Sequence, residues 1–321
     1  MKRILVIGAN GQIGNELVSA LAVEYGMENV IASDISPATL YGAAQYQMLD
    51  VLDAERLAHL VEKYKITEVY QLAALLSVTG EQAPLKAWTL NMDGLLNVLE
   101  LARMRNAAGK PLRVFWPSSI AAFGPNTPPV NTPQMTTMDP TTIYGISKLA
   151  GERLCEYYFT KYGVDARSIR YPGIISYKSP PGGGTTDYAI AIFYAALRGK
   201  TYDCFLSADT VLPMMYMSDA IRATLQLMQA PAEKITIRSA YNVAGTSFAP
   251  AQITAEIQRH YPEFVVNYRP DHRQAIADTW PDSLDDQQAR TDWGWQAQIG
   301  LSEMVADMLK HIAIEKSSKL A

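Results

Sequence analysis

The chain opens on an unbroken apolar run, Ile4-Leu5-Val6-Ile7, followed at once by Gly8-Ala9-Asn10-Gly11-Gln12-Ile13-Gly14 and then by Leu17, Val18 and Leu21 at helical spacing. A short apolar run bounded by glycine fits a strand buried on both faces, and the spacing behind it fits an amphipathic helix. The pattern recurs along the first half of the chain. Strands are expected at 3–7, 29–33, 68–72, 112–116 and 166–170, and helices at 11–25, 53–64, 84–107 and 145–162. This alternation predicts an α/β fold with a Rossmann-type doubly wound parallel sheet.

After residue 175 the rhythm breaks. Proline and glycine crowd into Ser179-Pro180-Pro181-Gly182-Gly183-Gly184-Thr185-Thr186-Asp187, a loop that leaves the sheet, and the periodicity beyond it is mixed. The expected organisation is a sheet domain of 1–175 plus 213–244, a smaller interrupted lobe of 176–212 plus 245–316 that carries the substrate, and a tail of 317–321.

Composition narrows the class. A chain of 321 residues with 48% hydrophobic and 19% charged positions can bury a large core. Its net charge of −4, without a basic cluster, argues against a nucleic-acid or anionic-membrane partner. No apolar stretch reaches the roughly 18 residues of a membrane span, and the first strand begins too early to leave room for a leader, so a cytoplasmic location is expected. Cys155 and Cys204 read as buried thiols in a reducing compartment.

The glycine turn is the first candidate for chemistry. Its spacing is G-x-x-G-x-x-G rather than G-x-G-x-x-G, yet its physics is the same: glycines let backbone N–H groups and a helix N-terminus approach a pyrophosphate. Asp34 closes the second strand twenty residues after Gly14, where a carboxylate can accept both ribose hydroxyls and repel a 2′-phosphate. With Ile35-Ser36-Pro37-Ala38 following and no arginine, NAD is expected over NADP. Tyr144 and Lys148 lie four residues apart, on one helical face. An ammonium there lowers a phenol's pKa and makes Tyr144 a candidate general base. Such pairs more often merely pack, so the company they keep decides the matter. The strand ending at Trp116 supplies that company by delivering Ser118 and Ser119 to the carboxyl edge of the sheet, where doubly wound folds bind ligands.

Together with Asp50-Val51, Gln71-Leu72-Ala73-Ala74, Asn91 in Leu90-Asn91-Met92-Asp93-Gly94, and Pro140 ahead of Tyr144, these features resemble the extended short-chain dehydrogenase/reductase family over nearly the whole chain. Ile7 and Gln71 depart from it, since many relatives carry threonine and histidine there. The resemblance implies that Tyr144 takes a proton from a substrate alcohol, Lys148 holds the nicotinamide ribose, and Ser119 orients the reacting oxygen, with Ser118 as the nearby alternative. Gly8, Gly11, Gln12, Ile13 and Gly14 would surround the pyrophosphate, Asp34 the adenosine ribose, and Asp50 with Val51 the adenine. Leu72, Ala73, Ala74 and Asn91 would lie on the cofactor side, and Tyr171, Pro172, Gly173 and Ile174 would flank the nicotinamide.

The runs Tyr171–Ser176 and Pro181–Ala189, with Ser283, Ala289 and Asp292-Trp293-Gly294-Trp295, are similar to the epimerase-like L-threonine 3-dehydrogenases. That likeness implies oxidation of the β-hydroxyl of L-threonine by NAD without a metal, with Ser77, Gly184, Thr185, Thr186 and Trp280 around the amino acid. It also implies a homodimer paired through the helices at 84–107 and 145–162. His59, His260, His272, His311 and the two cysteines show no zinc-ligand spacing. A nucleotide-sugar epimerase or dehydratase stays open, because Arg198, Lys200, Arg222, Arg269 and Arg273 are available for a diphosphate. A non-enzymatic NAD sensor would have no use for the Ser119, Tyr144 and Lys148 set.

Overall fold

The structure, a computed structural model, describes residues 2–37, 45–182 and 184–318. Ala38, Gly183 and the tail positions 319–321 lie outside the described residues.

The first strand, β1 (Ile4–Ile7), is buried at all four positions and runs into α1 (Gln12–Tyr25), as the apolar run and the spacing behind it require. The strands β2 (Val30–Asp34), β3 (Gln45–Met48) and β4 (Glu68–Gln71) follow, with α2 (Ala54–Lys63) between the last two. Asp53 caps α2 by accepting from the Arg56 N–H at 2.9 Å. After α3 (Ser77–Gln82), α4 (Pro84–Trp88) and α5 (Gly94–Ala107) come β5 (Arg113–Phe115), β6 (Ser118–Ser119) and the long α6 (Ile143–Tyr162). Thr142 caps α6 at its start, and Gly163 ends it in the left-handed conformation at φ 66°.

Among the described residues the main sheet has the order β3-β2-β1-β4-β5-β7, where β7 is Ala166–Arg167, and every pairing is parallel. The order reverses between β1 and β4. That switch point opens a crevice at the carboxyl ends of the two strands, between Ile7 and Gln71. One apolar cluster fills the sheet face covered by α1 and α8 (Met217–Gln229), and another fills the opposite face under α2, α5 and α6.

Several expectations change in detail. The strand expected at 166–170 is split at Ser168 into β7 and β8 (Ile169–Tyr171), and β8 leaves the main sheet to pair with β6 and with β12 (Tyr241–Asn242). The helix expected at 84–107 is interrupted by a π-turn at Thr89–Asp93. β3 was not anticipated, because Gln45-Tyr46-Gln47-Met48 is polar and partly exposed at the sheet edge. The last helix, Leu301–Ser318, runs two residues into the expected tail.

A third apolar cluster, drawn mostly from the expected second lobe, gathers β9 (Gly173–Ile175), α7 (Tyr188–Ala196), β10 (Tyr202–Cys204), β11 (Leu212–Tyr216) and the helices Pro250–Gln258 and Leu301–Ser318; β9 and residues 213–216 pack in it although both are expected with the sheet domain. β11 pairs in parallel with β9 and antiparallel with the strand Thr246–Phe248, a small sheet separate from the main one. No described helix is long and apolar enough to cross a membrane.

Opposite the crevice, Asp165 ties the amino-terminal end of the sheet together. It accepts from Arg113 at 2.7 Å, Arg167 at 2.9 Å and Arg238 at 2.8 Å, while Arg167 also donates to the Leu227 and Ala230 carbonyls at the end of α8. Burial alone raises the Asp165 carboxyl, but Arg167 and then Arg113 outweigh it and hold it at about 2. A depressed folded-state value means that this stabilisation is present above the unfolded carboxylate value of about 4 and is lost as pH falls through the folded one. Asp165→Asn is therefore expected to cost roughly 2 kcal/mol at neutral pH. Urea unfolding of both proteins at a series of pH values checks this, since the gap between them should close as pH falls towards about 2.

Candidate functional site

The turn after β1 is shaped for a close approach. Gly8 sits at φ +83°, and a Cβ on Gly14 would lie 2.2 Å from the Gly8 carbonyl oxygen, so neither position accepts a side chain without backbone movement. The glycines bring the first N–H groups of α1 to the wall of a cleft of about 260 Å³. In the same wall the Gln12 side-chain amide is buried with its nitrogen unpartnered. An anionic ligand at a helix N-terminus would satisfy it.

The opposite wall is built where Trp116-Pro117-Ser118-Ser119 meets α6. The Ser119 hydroxyl lies near enough to the Tyr144 phenol to lower it, and accepts from the Ala121 N–H at 3.2 Å. Lys148 is buried, donates its Nζ to the Pro117 carbonyl at 2.6 Å, and places its ammonium 4.4 Å from the Trp116 ring centre and 5.4 Å from that of Tyr144. The three groups thus share one end of the cleft. The expected lowering of the phenol by Lys148 is overturned. Burial pushes Tyr144 up to about 12 against the Ser119 hydroxyl, and burial pushes Lys148 down to about 7 against Cys155 and Glu152. Spacing on a helix brings the two side chains to one face, but the loss of water costs both charged forms more than their proximity returns.

Gly8, Gly11, Gln12, Ile13 and Gly14 all line the cleft, as do Leu72, Ala74, Tyr171, Pro172 and Ile174. On the second-lobe side it is lined by Gly184, Thr185, Thr186 and Trp280, with Ser77 on α3 beside them. The Thr185 hydroxyl is buried and unpartnered. Tyr171 turns its ring into the core against Phe115 and pairs its hydroxyl with Thr224.

The remaining expected residues stand apart from this wall. Asp34 lies at the end of β2, where it accepts from the Asn10 N–H at 3.0 Å and from both the Ser36 N–H and hydroxyl. Asp50 accepts from the Leu52 N–H at 2.9 Å, and Val51 is buried under α5. Ala73 presents its backbone to Gly8. Asn91, in the π-turn, brackets the main chain of Leu75 at 2.9 and 3.1 Å and reaches Ser147 at 3.2 Å; Ser147 in turn donates to the Tyr144 carbonyl. Asn91 therefore braces α6 at the turn that carries Tyr144. Sequence reasoning missed Leu76, Pro117, Ile120 and Asp187, which also line the cleft. Asp187 directly follows Thr186 and was within reach, whereas the contribution of Pro117 is a main-chain carbonyl that no side chain announces.

The sequence model of the NAD dependent epimerase/dehydratase family matches residues 4–244. The chain belongs to that family. A curated relative from Staphylococcus haemolyticus, described as an uncharacterized epimerase/dehydratase, is 48% identical over 99% of this chain and 100% of its own length. An L-threonine dehydrogenase from Cupriavidus necator, solved in its holo form, superposes with a TM-score of 0.94 at 60% identity over 97% of this chain and 99% of that one. A monomeric L-threonine 3-dehydrogenase from a metagenome database superposes with a TM-score of 0.93 at 45% identity over 97% and 99% of the two chains.

NAD is the family's cofactor, and the glycine cradle and unpartnered Gln12 amide of this chain fit its pyrophosphate. Gly14→Ala is expected to weaken NAD binding by at least about tenfold, because the added methyl displaces the turn. Titration of NADH fluorescence on the purified variant measures it.

Proposed function

We propose that this chain oxidises L-threonine at its β-hydroxyl to 2-amino-3-oxobutanoate. The observation that carries the reading is that one cleft holds Ser119 beside Tyr144 and the unpartnered Thr185 hydroxyl. The overall likeness to an L-threonine dehydrogenase supports it. When bound, NAD supplies the hydride acceptor for the β-carbon. Tyr144 takes the hydroxyl proton, Ser119 holds the reacting oxygen beside it, and Lys148 places a cation under both. Gly8, Gly11, Gln12, Ile13, Gly14 and Asp34 hold the cofactor in this reading, and Ser77, Gly184, Thr185, Thr186 and Trp280 enclose the amino acid.

A nucleotide sugar is the poorer fit. Its diphosphate calls for cationic donors, yet Lys148 is the one cationic side chain among the described residues lining the cleft, and Asp187 lines it too. The arginines that kept this alternative open are engaged elsewhere: Arg222 with Asp219, Arg269 with Asp203, and Arg273 with Asp271. Arg198 and Lys200 line a separate surface hollow.

An absorbance assay run with threonine, allo-threonine, serine and UDP-glucose, with NADP as the control on Asp34, is expected to show NADH formation with threonine and NAD. Activity confined to the nucleotide sugar would overturn the reading. Tyr144→Phe is expected to lower turnover by about a hundredfold or more at saturating substrate. Because Tyr144 must lose its proton while Lys148 keeps its own, wild-type oxidation should quicken as pH rises to about 7 and level off above it, where the ammonium is lost as fast as phenolate forms.

A homodimer is part of the same proposal. Met104 on α5 and Ile146 and Tyr157 on α6 are exposed on the helices that would pair. Light scattering should return twice the chain mass, and Ile146→Glu with Tyr157→Glu should return the single mass; a wild-type monomer, as in the metagenome relative, would sink this part alone.

A further inference from the structure

Each residue from Trp116 to Ser119 has a partner on α6. Gly151 leaves room for the Trp116 ring, since a Cβ there would stand 2.3 Å from it. The Pro117 carbonyl takes Lys148, and the Ser119 hydroxyl stands beside the Tyr144 phenol. The remaining link serves no step of the chemistry described above: the Ser118 hydroxyl donates to Glu152 Oε1 at 2.6 Å.

Glu152 is also one half of a buried ion pair. Arg170 donates through Nε to Oε1 at 2.9 Å and through Nη2 to Oε2 at 2.7 Å, and the two side chains are 0% and 1% exposed. Arg170 has further acceptors in the Gln134 carbonyl and Asn242 Oδ1, both at 2.9 Å, and lies over the Phe123 ring. Ser118 and Ser119 pair in register with Arg170 and Tyr171. Glu152 therefore grips β6 directly and β8 through its arginine, from a point one helical turn beyond Lys148.

A buried ion pair is weak evidence for stability as such, because desolvation consumes most of its attraction. Such a pair can instead fix one geometry among several, and here the geometry fixed is the strand end that carries Ser119. Ser118 has its hydroxyl committed to this pair, which removes it as an alternative to Ser119.

We propose that Glu152 is a positioning residue for catalysis, holding Ser119 against Tyr144 through Ser118 and the Arg170 pair. This rests on the dehydrogenase reading only in needing Ser119 and Tyr144 to act together. Glu152 also bears on Lys148. The titratable and charged groups around that ammonium are Tyr144, Glu152 and Cys155 on α6, with Arg170 beyond Glu152 on β8. Burial pushes the Cys155 thiol up to about 12, and Cys155 and then Glu152 act to raise Lys148 against its own burial.

Two variants separate positioning from bulk stability. Ser118→Ala cuts the link and leaves the ion pair whole; Glu152→Gln keeps the shape and removes the charge. Turnover is compared on whichever of L-threonine and UDP-glucose the wild-type enzyme converts. A wild type inert towards threonine sinks the dehydrogenase reading and leaves this comparison standing.

Ser118→Ala is expected to lower kcat by about ten- to a hundredfold, with KM, NADH affinity and melting temperature close to wild type. Glu152→Gln should in addition move the pH at which the rise of kcat levels off to lower values, because Glu152 is one of the groups that raise Lys148 against its burial. Two results overturn the proposal: wild-type kcat in Ser118→Ala, or a loss of kcat matched by equal losses in cofactor affinity and melting temperature. If Glu152→Gln does not fold, Ser118→Ala decides alone.

Discussion

Lys148 is buried, and its ammonium donates to the Pro117 carbonyl at 2.6 Å, so helix α6 and the end of the β5–β6 segment cannot shift independently of one another. An unpaired ammonium in that position would be costly, and the carbonyl, the Trp116 face and the nearby Glu152 carboxylate are what make it tolerable. The same contact brings Ser119 to Tyr144. Helix α6 is held in turn by its Thr142 cap and by Asn91 through Ser147, so Tyr144 and Lys148 stand on a braced element rather than on a loop.

Most of this frame can be read from the chain because the physics that forms it is local. The apolar run of β1, the glycine turn and the spacing of α1 need no distant partner to be recognised, and the same holds for Tyr144 and Lys148 on one helical face. What the sequence hides depends on the tertiary environment. The edge strand β3 is only four residues long and has no fully buried position, and the departure of β8 from the main sheet at Ser168 follows from its pairing with β6 and β12. The π-turn that carries Asn91 interrupts a pattern that reads as one continuous helix.

The direction of the Tyr144 and Lys148 shifts belongs with these hidden features. Proximity is written in the numbering, but burial is a property of the packed whole, and burial wins for both groups. The pair is best described as a phenol and an amine that each resist their charged form and are both drawn onto the strand end 116–119. A catalytic role for Tyr144 therefore depends on what else enters the cleft with charge, and the unpartnered Gln12 amide and Thr185 hydroxyl mark where polar ligand atoms would meet the wall.

The two sides of the cleft are also referred to a common helix. Glu16, one turn from the start of α1, accepts from the Ser176 hydroxyl at 2.6 Å and pairs with Lys178 at 3.2 Å. Ser176 and Lys178 begin the loop that continues to Gly184, Thr185 and Thr186. The helix that opens on the glycine turn thus anchors the loop that also lines the cleft. A displacement of α1 would be felt at both, which gives a physical reason for the glycine turn and the second-lobe loop to keep a fixed relation to Tyr144.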